Sequence, residues 1–196
     1  MEREYETPGI ADLMCRRSSP YAFSSRPIAP PALASLFEAA RWASSSMNEQ
    51  PWRYVVATQD EPEAFAKMVG ALMPGNVPWA EKAPALILAV AKTDFSYNGA
   101  PNAAALHDLG AADFALALQA VSIGLITHPM GGFYPEKARE AFGIPEGYAP
   151  VAVIAVGYPG DPATLPEPYR ERETGPRSRR PHTEFVYRGA WAPPAA

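Results

Sequence analysis

Apolar residues recur along this chain with two periods, one near 3.6 and one unbroken, and their alternation predicts its elements. Ile10, Leu13 and Met14 have the spacing of a short amphipathic helix. Pro30-Pro31 opens a longer one: Pro31 suits a first helical position, and Leu33, Leu36, Phe37 and Ala40 fall on one face. "RYVVAT" (53–58), rich in β-branched and aromatic residues, predicts a strand. Helical spacing returns with Phe65, Met68, Val69 and Leu72. "ALILAVA" (85–91) is apolar at every position, which fits a strand buried on both faces. Residues 103–125 are Ala-rich and apolar on most sides, as expected of a central helix. "PEKAREAFG" predicts a short helix with Pro135 near its start and Gly143 as its stop. "PVAVIAVGYP" (150–159) closes the core as another buried strand.

Helices and strands alternate without regular βα units, and only three or four strands are visible. The expectation is an α+β fold, a small central sheet packed by long helices; a doubly wound parallel sheet is the alternative. No internal repeat is evident. Residues 1–160 read as the core and 161–196 as an arm of the same domain, because several of the 23 prolines crowd "GYPGDPATLPEPYRERETGPRSRRP". Proline fixes φ and donates no amide hydrogen, so this stretch should run extended over a surface. A disordered tail is one reading of it. "TEFVYRGAW" (183–191) favours another, a docked final strand at the end of an arm of the kind found in intertwined dimers.

Composition narrows the class. Of 196 residues, 47% are hydrophobic and 19% charged, with a net charge of −4. An acidic balance argues against a nucleic-acid partner, since neutralising phosphates needs a basic surface. Cys15 is the single cysteine, which excludes an intrachain disulfide and fits a reducing compartment. It lies beside Arg16 and Arg17, yet a small buried helix residue is the expectation for it. The acidic N-terminal segment shows no apolar signal-peptide region. The longest apolar run, residues 83–91, is far short of a membrane span. The expectation is therefore a soluble, cytoplasmic protein without a membrane partner.

Several chemistries leave no trace. There is no G-x-G-x-x-G after a strand, no P-loop and no G-x-S-x-G elbow. His107, His128 and His182 lie far apart, without a neighbour at zinc-ligand spacing. What stands out is a set of polar and basic clusters: "CRRSSPYAF", "SSSMNEQPW", "HPMGGF" and "GPRSRRP". Alone, each has a bland reading as a helix end, a turn or solvated charge. Together they suit an anionic, heteroaromatic, hydroxyl-rich ligand. Arginines pair with phosphate, serines and amides bond a polyol and ring edges, and glycines let backbone approach a planar ring.

At these residues the chain resembles the nitroreductase family of FMN-dependent oxidoreductases. The likeness runs in order through "RRSSPYAFSSRPIAPPALASLFEAARWASSSMNEQPWRY", "GNVPWAEKAPALILAV", "LHDLGAADFALALQAVSIGLITHPMGGF" and "IPEGYAPVAVIAVGYP". The resemblance implies a mostly antiparallel sheet and an intertwined homodimer, with a swapped C-terminal arm and an FMN site built from both subunits. It implies that Arg16, Arg17 and Ser18 hold the phosphate end and ribityl of FMN. Ser44, Ser45, Ser46 and Asn48 would reach the same flavin from the partner, with Gln50 a less certain contact. Asn76 would bond the pyrimidine edge of the ring, and Pro129, Met130, Gly131 and Gly132 would line it, with the Gly131 amide near N5. Arg177 and Arg179 would complete the phosphate site. No side chain is expected to be catalytic in its own right. The implied activity is ping-pong hydride transfer from NADH or NADPH, through the flavin, to a nitroaromatic, quinone or similar small acceptor. Tyr97, Trp79 and Phe133 are candidates for loops over the ring, although core packing is the commoner role of an aromatic.

Two departures bear on this reading. Pro20 and Trp79 stand where many members carry cations near N1 and O2 of the flavin. Positive charge there favours the reduced anion, so either Arg17 or His107 replaces the missing cation or the flavin potential should be lower. The departures leave room for other flavin chemistry on the same fold (reductive dehalogenation or flavin fragmentation) and for a flavin-binding protein without turnover.

Overall fold

The computed structural model describes residues 9–191; the first residues of the acidic N-terminal segment and the last five of the arm lie outside them. In chain order the elements are α1 (Asp12–Arg16), α2 (Pro30–Arg41), β1 (Trp52–Thr58), α3 (Pro62–Gly70), α4 (Val77–Ala80), β2 (Ala85–Lys92), α5 (Ala105–Ser122), β3 (Ile126–Met130), α6 (Pro135–Phe142), β4 (Tyr148–Gly157) and α7 (Tyr169–Thr174). Short 3-10 turns occur at Ser46–Asn48, Pro162–Thr164 and His182–Glu184. Proline occupies the first turn of α2, α3, α4 and α6, where its missing N–H has no helical partner to lose. Helix α6 stops at Gly143, whose φ of 61° is the left-handed conformation a glycine adopts without strain.

The four strands form one sheet in the order β1-β2-β4-β3, and every pairing is antiparallel. The architecture is α+β as expected, and the parallel alternative is excluded. Strand β2 is interior and explains the unbroken apolar run. Leu86, Leu88 and Val90 face one core, with Met68, Trp79, Phe133 and Ala138. Ala85, Ile87, Ala89 and Ala91 face a second core, with Leu36 and Ala40 of α2 and Leu109, Ala112 and Leu116 of α5. Small residues on α5 let it lie close to the sheet. Each fully buried leucine contributes about 1.5–3 kcal/mol relative to exposure.

Three expectations are corrected by these elements. No strand was expected between the long central helix and the helix at Pro135, yet Ile126–Met130 forms strand β3, through Pro129. A proline is tolerated there because β3 is an edge strand with one unpaired side. The expected strand at 183–191 is not formed among the described residues; a 3-10 turn takes its place and Trp191 is 81% exposed. A strand needs a ladder partner, and none of β1–β4 runs alongside this segment. Trp79 and Phe133 take the commoner role of an aromatic and pack in the core, Trp79 being only 1% exposed. Cys15 is half-buried on α1 rather than enclosed.

The stretch after residue 160 begins by packing on its own chain. Leu165 is buried in the core of Met68 and Trp79, the Tyr169 hydroxyl donates to the Gly75 carbonyl at 2.7 Å, and the Tyr21 amide donates to Glu173 at 2.7 Å. None of the helices among the described residues is long and apolar enough to cross a membrane.

Candidate functional site

Arg16 and Arg17 are neighbours in sequence and diverge in space. Arg16 donates to Asp12 one turn back at 3.2 Å, an exposed pair on α1. Arg17 turns the other way. Burial, followed by the nearby charges of Arg177 and Arg179, lowers its pKa from the ordinary guanidinium value. Arg177 donates Nη1 to the Cys15 carbonyl at 2.9 Å and Nη2 to the Arg17 carbonyl at 2.8 Å. Carbonyls at a helix C-terminus lack helical partners, so Arg177 closes the end of α1 while bringing the late arginines to it. Arg17 also reaches the Ser19 hydroxyl at 3.3 Å. Three guanidiniums drawn from positions 160 residues apart thus converge beside the Ser18-Ser19 turn, where their mutual repulsion favours an anion.

The turn continues into Pro20, whose carbonyl lies 3.0 Å from His128 Nδ1 on β3. His128 packs against Trp79 at 4.3 Å and Tyr21 at 4.7 Å between ring centroids, and Tyr21 meets Trp79 edge-on at 5.1 Å. Burial, and to a lesser degree Arg17, lower the pKa of His128 against the raising effect of the Pro20 carbonyl. The two unusual positions, Pro20 and Trp79, therefore meet at one half-buried imidazole. Neither presents a cation.

Beyond His128 the strand passes through Pro129 and Met130 into Gly131 and Gly132. Pro129 and Gly131 are exposed, and a Cβ on Gly131 would meet no atom within 4 Å. Met130 points into the core. Gly132 has a different reason to be glycine: its Cβ would lie 2.6 Å from Asn76 Nδ2. That amide donates to the Gly132 carbonyl at 2.8 Å, and the Met73 amide donates to the same oxygen at 3.0 Å. Asn76, expected to bond the pyrimidine edge of a flavin, is thus tied to the Gly131-Gly132 turn.

Residues 44–50 form the other candidate segment, at the opposite edge of the sheet. Met47, Asn48 and Gln50 have φ of 54°, 53° and 52°, a left-handed conformation that side chains other than glycine rarely hold. The Ser46 amide donates to Asp108 Oδ2 at 2.9 Å, and the Gln50 amide donates to the Ser45 hydroxyl at 3.1 Å. Glu49 accepts from the Ser96 amide at 2.9 Å, from the Ser96 hydroxyl, and from Lys92 Nζ at 3.4 Å. Lys92 also donates to the Asp94 carbonyl at 2.7 Å and the Ser96 hydroxyl at 2.9 Å. Hydrogen bonding by Ser96, then Lys92, lowers the pKa of Glu49. Ser45 and Ser46 are therefore engaged within their own subunit, whereas Ser44 and Asn48 remain exposed.

The structure sorts the expected site residues into two groups. Arg17, Ser18, Pro129, Gly131, Gly132, Asn76, Arg177 and Arg179 belong to a continuous set of contacts at the β3 edge. Ser44, Ser45, Ser46, Asn48 and Gln50 lead into β1 at the far edge, three strands across the sheet. Arg16 joins neither group. Asp108, Glu49, Lys92, Ser96 and His128 were missed as supports. Asp108 left one readable signal, an acidic residue on the apolar face of a central helix; the Glu49–Lys92 pairing left none, because its members are 43 residues apart. Among the described residues, no group of His, Cys, Asp and Glu could hold a metal ion.

A sequence model of the nitroreductase family matches residues 14–158, and the chain belongs to that family. It is 42% identical over 132 residues to an uncharacterized 15.4 kDa protein of Mycolicibacterium smegmatis, covering 67% of this chain and 87% of that one. A Stenotrophomonas maltophilia protein, provisionally named an NADH dehydrogenase/NAD(P)H nitroreductase, is 30% identical over 162 residues, covering 74% and 81%. Among solved structures, one described as an oxidoreductase containing FMN superposes with a TM-score of 0.91 at 34% identity, covering 97% of this chain and 96% of that one.

Proposed function

We propose that this chain is an FMN-dependent oxidoreductase that draws hydride from NADH or NADPH and delivers it to a nitroaromatic, quinone or similar small acceptor. The observation that carries this reading is the convergence of Arg17, Arg177 and Arg179 beside the Ser18-Ser19 turn, contiguous with the open Gly131 backbone. The FMN named for one similar structure and the NAD(P)H nitroreductase name of another relative point the same way. The residues fit the cofactor: a cationic cluster suits the phosphate, and a glycine with no neighbour on its Cβ side suits a planar ring.

Bound FMN would supply a two-electron carrier that accepts hydride from NAD(P)H and passes it on in a later binding event. Arg17 and Arg179 would hold the phosphate, with Arg177 fixing both through the α1 carbonyls. Ser18 would bond the ribityl chain. Pro129 and Gly131 would flank the ring, and the Gly131 amide would offer a hydrogen bond near N5. Asn76 would keep the Gly132 turn in place and offer its remaining amide atoms to the pyrimidine edge. Residues 44–50, at the far edge of the sheet, would serve the flavin of a partner, which makes the working unit a homodimer. Residues 180–191, all exposed apart from the half-buried Tyr187, would reach across to that partner.

The test is direct. Purified protein should be yellow, release FMN on denaturation, and oxidise NAD(P)H when a nitroaromatic is present. A colourless protein that FMN does not reconstitute would overturn the reading, and a monomer by light scattering would overturn the shared site.

A further inference from the structure

We propose that Asp108 and the Glu49–Lys92–Ser96 cluster are positioning residues for the flavin, pinning residues 46–50 in a strained conformation that binds it. This rests on the FMN reading above. Three residues within a span of four adopt left-handed φ without being glycine. Such conformations persist only where their surroundings over-determine them. Here the surroundings are two tethers that straddle Met47 and Asn48. On one side the Ser46 amide donates to Asp108, which is 4% exposed and whose second oxygen lies 3.3 Å from His107 Nδ1. On the other side Glu49 is held by Ser96 and Lys92.

Burying a carboxylate on an apolar helix face is unfavourable unless it is satisfied by hydrogen bonds. Asp108 sits among Ala105, Leu109 and Ala112, all buried, and its polar partners are the Ser46 amide and His107. Its presence at that position is accounted for by the loop it holds. Between the tethers, Met47 and Asn48 remain on the surface. With a tether removed, the loop relaxes toward ordinary right-handed or extended backbone, and only a fraction of molecules presents the binding conformation. Apparent affinity then falls by that fraction.

Asp108→Ala, Asp108→Asn, Glu49→Gln and the reference variant Arg179→Ala, each as the full-length protein stripped of flavin, would be titrated with FMN and with riboflavin by fluorescence quenching. The expected result is that Asp108→Ala weakens both flavins by the same factor, about tenfold or more, since a hydrogen bond to a charged group is lost. Amide exchange at residues 46–50 should quicken while thermal unfolding stays cooperative. Asp108→Asn should fall between, because its amide oxygen still accepts the Ser46 N–H. Arg179→Ala should weaken FMN and spare riboflavin. Should Asp108→Ala not fold, Asp108→Asn and Glu49→Gln carry the same comparison. Wild-type affinity for both flavins in folded tether variants overturns the positioning role and leaves the FMN reading standing. Wild-type protein that binds neither flavin overturns both.

Discussion

The two edges of the sheet each carry a short polar segment, and different forces shape them. At the β3 edge, the Ser18–Pro20 turn and Gly131-Gly132 are fixed by burial. Pro20 is held by His128, His128 by Trp79 and Tyr21, and Gly132 by Asn76. At the β1 edge, residues 44–50 have no such aromatic support, and charged side chains hold them against the preference of their backbone. The first arrangement draws on core packing and should respond to side-chain volume. The second draws on buried charge and should respond to pH and to single hydrogen bonds. The two candidate segments are thus held by different means, apolar contact at one edge of the sheet and electrostatic pinning at the other.

Trp79→Ala tests the packed edge most severely. Truncating a fully buried tryptophan leaves a cavity beneath His128 and Tyr21, and the expected loss is about 3–5 kcal/mol by urea denaturation. A loss below 1 kcal/mol would mean that the aromatic cluster does not organise that edge.

The pinned edge offers a pH test five residues beyond Asp108 on α5. Asp113 on α5 accepts from the Tyr54 hydroxyl at 2.9 Å, and burial raises its pKa to about 6 despite that bond. Because the folded value lies above the unfolded one, stability is greatest when the carboxyl is protonated and declines as pH rises through about 6. Asp113→Asn keeps an acceptor for Tyr54 and removes the charge. It should stabilise the protein at pH 8 by about 3 kcal/mol at most and have little effect at pH 4, measured by denaturation at both values. An equal effect at the two pH values would show that Asp113 titrates normally.

Gly132→Ala asks how tightly the packed edge is built. The added methyl must displace Asn76, so a loss of about 1–3 kcal/mol is expected. Asn76→Ala in the same chain should recover part of it, and the double-mutant cycle measures the coupling. Strict additivity would separate the two residues.

Asn48→Gly carries the smallest effect. Glycine removes the steric penalty at φ 53° but loosens the unfolded chain, so melting temperature should change little, by the equivalent of about 1 kcal/mol or less. A large loss would mean that the Asn48 side chain, rather than the tethers, holds the loop.

Hydrophobic period alone determined the long helices, the two interior strands and the α+β class, because an unbroken apolar run is stable only where both faces of a strand are covered. Proline and glycine at helix ends were equally readable, since they act through local backbone geometry. Strand β3 escaped notice because His128-Pro129 looks like a turn until an edge position supplies the one place where a proline does no harm to the ladder. The sequence pointed to the polar and basic clusters and to the two unusual residues, Pro20 and Trp79. It could not show that both lean on His128, that Arg16 turns away from Arg17, or that Asp108 reaches back 62 residues to Ser46. Those choices depend on which distant segments share a surface, and only the folded chain brings them within reach of one another.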